Sequence, residues 1–150
     1  MLIDIKDIGM TENTTQDVEA QPWTHAFAAK SAEAFGAALA SDVILEATAL
    51  NRPIAGRNDV KATMGAASNI YEHLVFTDES INEGSRYLQW KARAFNGVDL
   101  FGITILELND EGEISHIAIH HRPLGAMLRF SNELGNRLTG VIERDFFHRA

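Results

Sequence analysis

The second half of the chain constrains the fold most. Between residues 73 and 121 the segments "HLVFTDESI", "SRYLQWKARAF", "VDLFGITILEL" and "EISHIAIHH" are rich in β-branched and aromatic residues, as strands require. Turn chemistry separates them. Asn96-Gly97 signals a two-residue hairpin, and "NDEG" at 109–112 supplies a turn with Gly112 free to take a positive φ. Strands joined by connections this short run antiparallel, so this half reads as a meander.

The first half is helical. Pro22 is a good first helical residue, and the alanine-rich "PWTHAFAAKSAEAFGAALA" predicts two short helices broken near Lys30-Ser31. "SDVILEATAL" turns to β-branched and apolar residues and reads as a strand, and "NRPIAG" as a loop. Asn58 or Asp59 is placed to cap a further helix with Val60, Met64, Ala67 and Tyr71 along one apolar face. Residues 1–20 show no convincing period and are expected to form a loose arm, with "LIDI" a candidate edge strand. At the other end, "LGAMLRFSNELGNRLTGVI" sets Leu124, Met127, Leu128, Leu134, Leu138 and Val141 near one helical face, which should pack on the sheet or on a partner chain.

At 150 residues the chain suits one domain, and a chain of that size buries roughly 70% of its unfolded surface. Its net charge of -8 with no Lys/Arg cluster disfavours nucleic acid, whose affinity depends on neutralising phosphates. No apolar run reaches the roughly 18 residues of a membrane span, and the acids in "MLIDIKDIGM" do not suit a signal peptide, so a cytoplasmic location is expected. The absence of cysteine excludes disulfides and thiolate chemistry. Phosphate-loop, GxSxG, GxGxxG and EF-hand patterns are missing.

The sharpest chemical feature is "IAIHHRPLGA" at 117–126, an apolar strand ending in His120, His121, Arg122 and Pro123. His116 and His120 are four apart, but that spacing gathers two imidazoles on one metal only in a helix. Pro123 holds Arg122 extended, and in a strand the two rings lie on one face roughly 13 Å apart, at about 3.3 Å per residue. His120 and His121 point to opposite faces. No metal site is expected from this set, and one histidine should look inward while the other looks out. A strand-end histidine bonded to neighbouring backbone is the plainer alternative.

The order helix, helix, strand, "RPIAG", helix, meander, together with "SDVILE" and "GITILELNDEGEI", resembles the nuclear transport factor 2-like superfamily, nearest its SnoaL-like and ketosteroid-isomerase branches. The resemblance covers residues 22–123. It implies an α+β fold: N-terminal helices packed in a strongly curved antiparallel sheet, a cystatin-like cone with an apolar pocket, here with an extra C-terminal helix. The division expected is 1–21 arm, 22–123 cone and 124–150 helix and tail. The resemblance also implies a homodimer across the outer sheet face, with Phe101, Ile103 and Ile105 meeting a second subunit.

Carried over by counting, the general-base carboxylate of ketosteroid isomerases falls on Ala47 and their oxyanion acid on Thr104, while the acid/base aspartate of SnoaL-like cyclases falls on Ile119. Ketosteroid isomerases tune their two carboxyl groups to different roles through the surroundings of each, and this chain has neither acid at those positions. The oxyanion tyrosine of the first helix has no counterpart, because Tyr71 is the earliest tyrosine. Counting from Gly112 puts His121 on the pocket side and His120 outside, an assignment that one β-bulge would reverse.

Two readings follow. In one, a cofactor-free isomerase, cyclase or dehydratase uses His121 as base and Thr104 as polar partner, on a small apolar molecule held among Trp23, Met64, Tyr71, Trp90, Asn51 and Ile119. In the other, the same pocket belongs to a non-catalytic ligand-binding or dimeric accessory protein. Neither needs a cofactor or metal.

Overall fold

The computed structural model describes residues 18–150. The "LIDI" strand and most of the expected arm lie outside the described residues. The chain enters across the end of the meander, where the nearly buried Glu79 carboxylate accepts from Glu19 N (3.0 Å), Gln21 Nε2 (2.9 Å) and Arg86 Nη1 (3.2 Å).

Helix α1 (Pro22–Ala29) ends where Lys30 takes a left-handed conformation, and α2 (Ala32–Ala38) starts at once, capped by Ser31 Oγ accepting from Ala34 N at 3.2 Å. The break near Lys30-Ser31 is therefore as expected. Strand β1 (Leu39–Ala47) follows without a loop, beginning earlier than its composition suggested, and "NRPIAG" contributes a two-residue strand, β2 (Ile54–Ala55). Helix α3 (Arg57–Ile70) starts after Gly56, not at a cap by Asn58 or Asp59. Gly56 takes the positive φ that turns the chain out of β2, which carries Asn58 and Asp59 inside the first turn, where Asp59 suits the helix dipole. Val60, Met64 and Ala67 are buried as the pattern required. Gly65 lets α3 cross α2 closely: a Cβ there would lie 2.8 Å from that of Ala32.

The meander comprises β3 (His73–Asn82), β4 (Ser85–Ala94), β5 (Val98–Leu108) and β6 (Ile114–Arg122). The strands form one curved, unclosed sheet in the order β2-β1-β6-β5-β4-β3, antiparallel throughout except for the parallel pair β1–β6. Ala94 pairs with Val98, so the β4–β5 turn has three residues (Phe95, Asn96 and Gly97, all with positive φ), one more than Asn96-Gly97 predicts. A two-residue turn would slip one strand by a residue, and the alternation that buries Ala94 and Leu100 prevails. Register shifts at Leu39/Ile44, Phe76/Asp78 and Glu107/Leu108 mark bulges, which add twist to the sheet.

On β5 the inner face carries Leu100, Gly102, Thr104 and Leu106, while Phe101, Ile103 and Ile105 remain half-buried outside. Helix α4 (Leu124–Arg137) buries Met127, Phe130 and Leu134. It is shorter than its pattern suggested: Gly140 turns the chain at φ 85, leaving Val141 57% exposed, and Leu124 at the start is 70% exposed. The segment after α4 folds back. Ser131 Oγ donates to Ala49 O (2.6 Å) and accepts from His148 N (2.9 Å), and Leu50 bridges Phe147. None of the described helices is long and apolar enough to cross a membrane.

Candidate functional site

The site is built around the end of β6. His121 stands opposite Gly102 on β5, which in turn stands opposite Trp90 on β4. Because residue 102 has no side chain, the Trp90 indole lies across the backbone: a Cβ there would sit 2.1 Å from Trp90 Cζ2 and 2.7 Å from His120 O. From that position Trp90 Nε1 donates to Thr104 Oγ1 at 3.0 Å, and its ring stands edge-on to His121 at 5.5 Å. Thr48, just past β1, fixes the strand end, its Oγ1 accepting from His121 N at 3.1 Å.

Tyr71 arrives from the other side. It is the first residue after α3, turned to extended backbone, and its hydroxyl lies 3.5 Å from His121 Nε2, the outer limit of a hydrogen bond. Phe130 of α4 stacks on the Tyr71 ring (5.0 Å, 21°) and leans on His121 at 5.5 Å. Four aromatic rings from four elements, the imidazole among them, thus meet at one place. They surround a cavity of about 30 Å³, whose walls also include Ala47, Met64, Thr104 and Ile119. By volume it has room for one or two water molecules.

The electrostatics follow from the apolar lining. Burial first, and the neighbouring His120 second, lower the His121 pKa to about 4, so the ring is neutral at pH 7. Although His121 keeps some exposed surface, its Nδ1 is buried and has no hydrogen-bond partner. Burial likewise pushes the Tyr71 hydroxyl well above its ordinary range, so it stays protonated. A neutral imidazole, a phenol and a threonine hydroxyl in an apolar enclosure can pass or hold a proton. Thr104 retains a free O–H to donate, since Trp90 occupies only a lone pair.

Six of the residues expected at the site line the cavity: His121, Thr104, Met64, Tyr71, Trp90 and Ile119. The other two do not. Trp23 is buried behind it, edge-on to Phe27 and Phe35, because its turn of α1 faces the helix pair. Asn51 is exposed and ties down the C-terminal segment, donating from Nδ2 to Asp145 O at 2.9 Å. Ala47, where counting located a missing carboxylate, does line the cavity. Sequence reasoning missed Phe130, although it lies three residues after Met127 and four before Leu134, on the face that α4 buries.

His121 faces inward and His120 outward: the β5–β6 bulge falls between Ile114 and His116 and moves the buried positions from Ile114 to Ile117 and Ile119, in phase with His121. His116, farther back on β6, has its Nε2 2.8 Å from Glu46 Oε2 of β1. Among the described residues no group of three or more His, Cys, Asp or Glu side chains is placed to hold a metal ion.

No family model matches the chain, and no curated protein matches it. Solved structures do. An uncharacterised bacterial protein with a cystatin-like fold from Silicibacter pomeroyi superposes with a TM-score of 0.75 at 17% identity, over 86% of this chain and 87% of that one. A steroid delta-isomerase from Pseudomonas aeruginosa gives 0.72 at 20% identity, over 86% and 94%. A proposed isomerase of the SnoaL-like family from Agrobacterium tumefaciens gives 0.54 at 17% identity, over 68% and 95%. At such identities the likeness is one of fold. The chain has the cystatin-like α+β fold that these ketosteroid-isomerase-like and SnoaL-like structures share.

Proposed function

We propose that the cone binds a small apolar molecule bearing an oxygen and that neutral His121 acts on it as a general base, in a cofactor-independent isomerisation, cyclisation or dehydration. The observation that carries this reading is the His121 ring itself, held in an apolar cavity 3.5 Å from the Tyr71 hydroxyl with Nδ1 unpartnered. An unpaired buried polar atom costs about 1–3 kcal/mol, which a ligand's polar group would recover. Tyr71 and Thr104 supply hydroxyl donors for a substrate oxygen, and the base needs no added group to be active at neutral pH.

The test is conversion of cyclohex-3-enone to its conjugated isomer, followed by absorbance at pH 7. Acceleration by the full chain, lost on His121→Asn, is the expected result. A second reading is that of a non-catalytic ligand-binding or dimeric accessory protein, and the cavity of about 30 Å³, against roughly 300–1,000 Å³ for ligand pockets, favours the accessory form of it. Neither binding nor acceleration of the ketone would select the accessory form, and binding without acceleration the ligand-binding one.

Under either reading we expect a homodimer through the outer sheet face, where Tyr87, Phe101, Ile103 and Ile105 are only partly covered. Sedimentation as a monomer at micromolar concentration would refute it. A cytoplasmic location belongs to the same proposal, and a chain without cysteine is compatible with a reducing compartment.

A further inference from the structure

Phe27 and Tyr71 line two spaces at once. One is the inner cavity. The other is an open groove of about 380 Å³ between α1 and the start of β3, walled by Thr24, Lys30, Ser68, His73 and Phe76 among others. Side chains that line both spaces form the wall between them. Phe27 is only partly buried, and it meets Phe35 and Phe76 edge-on rather than through polar bonds, so a change of rotamer would join the two spaces without breaking a hydrogen bond. The outer groove alone falls within the roughly 300–1,000 Å³ of ligand pockets.

The polar groups of the groove are unequally engaged. Thr24 Oγ1 donates to Gln21 O (3.0 Å), Ser68 Oγ to Gly65 O (2.9 Å), and Glu72 Oε2 accepts from Asn96 N (2.7 Å). Glu72 is the only acid among the described lining residues, and its carboxylate is committed to the β4–β5 turn. Lys30 differs. Its Nζ donates to Tyr71 O at 2.7 Å, and its own carbonyl accepts from Asn69 Nδ2 at 3.0 Å, which fixes the ammonium beside the Phe27–Tyr71 wall. An ammonium has three donors, so two remain for a ligand. His73, exposed on the same rim, is a further donor.

We propose that the binding site is bipartite: the groove is its outer half, Phe27 is the movable part of the Phe27–Tyr71 wall, and the ligand is a flat apolar molecule ending in a carboxylate that Lys30 holds at the rim. This deepens the preceding reading and rests on it. It also resolves the mismatch of size, because only the leading edge of such a ligand has to reach His121.

The experiment titrates the full chain with 2-naphthoate and with 2-naphthamide, which shares its ring system but lacks the charge. Affinity is read by calorimetry, and the imidazole resonances of His121 and His73 by NMR. The expected result is that naphthoate perturbs both histidines, that Lys30→Gln weakens naphthoate by about tenfold, as loss of a charge-assisted hydrogen bond implies, and that naphthamide affinity is unchanged by that substitution. Lys30→Arg should restore naphthoate binding, separating a charge effect from damage to the α1–α2 junction. Perturbation of His121 alone, or naphthoate affinity indifferent to Lys30→Gln, would overturn the bipartite site while leaving the inner one. Perturbation of His73 alone would overturn the continuity of the two halves. Failure of both probes to bind would overturn this proposal and the reading beneath it.

Discussion

His121 and His116 sit on the same strand, five residues apart, and the sheet gives them different chemistry. At the inner site His121 is enclosed by Trp90, Tyr71 and Phe130, with a hydroxyl as its nearest polar partner. Outside it His116 meets a carboxylate, Glu46, at 2.8 Å, with water within reach of both side chains. The side chains are identical. Desolvation favours the neutral ring inside, whereas the outer ring has an anionic partner and solvent to hand. The imidazole kept neutral by its enclosure is His121, and bulge placement turns that histidine inward.

The largest expected effect tests that asymmetry directly. General acid/base groups contribute about 10²–10⁴-fold to rate, so His121→Asn should abolish most of any proton-transfer activity on an enolisable ketone. His120→Asn, one residue away and exposed, should leave the rate close to that of the unaltered chain. Equal losses from both would break the distinction between inside and outside.

Stability should carry the same mark. With an unfolded pKa near 6.5 and a folded pKa near 4, His121 takes up its proton first in the unfolded chain as pH falls. Between those values the unfolded state binds more protons, so stability declines as pH is lowered through that window and is level above it. The shift corresponds to at most about 3 kcal/mol. Urea unfolding at pH 7 and pH 4, compared between the natural chain and His121→Asn, isolates this component. A pH dependence unchanged by the substitution would mean that the ring is not desolvated.

Gly102→Ala comes next. Overpacking of a filled interior costs about 1–3 kcal/mol, and here the new methyl would strike the Trp90 ring and the His120 carbonyl together. Because Trp90 would have to leave Thr104, the loss should appear with a change in tryptophan emission. Ile103→Ala, next along the strand but half-buried on the outer face, should cost less and leave emission unchanged. The reverse ranking would show the outer face to be the better packed of the two.

How much of this is legible in the residues alone varies with the physics of each feature. Period-two alternation from Val98 to Leu108 defines that strand to the residue, and the inward side of Thr104 with it. The orientation of His121 rests on the bulge between Ile114 and His116, where the alternation changes phase from Ile114 to Ile117 and Ile119, and no local residue pattern marks that extra residue. The meeting of Tyr71 with His121 is hidden, because it depends on how α3 sits over the sheet, and no local pattern encodes a contact across fifty residues. Phe130 is obscured for a related reason. Its helix shows apolar residues on more than one side, and only the fold-back of 142–150, clasped through Ser131, decides which side turns inward. The cavity is a property of four rings together and of none singly.

The smallest effect expected belongs to the outer pair. Glu46 and His116 face each other across the parallel β1–β6 ladder, with side chains 55% and 30% exposed. Exposed ion pairs contribute about 0–1 kcal/mol. This pair is ionic only while the imidazole holds its second proton; otherwise a neutral Nε2–H donates to the carboxylate. A double-mutant cycle of Glu46→Gln and His116→Asn should therefore give a coupling below about 1 kcal/mol, weaker at high salt because exposed charges are screened. A coupling of several kcal/mol, insensitive to salt, would place His116 in an environment like that of His121 and erase the contrast between the two histidines.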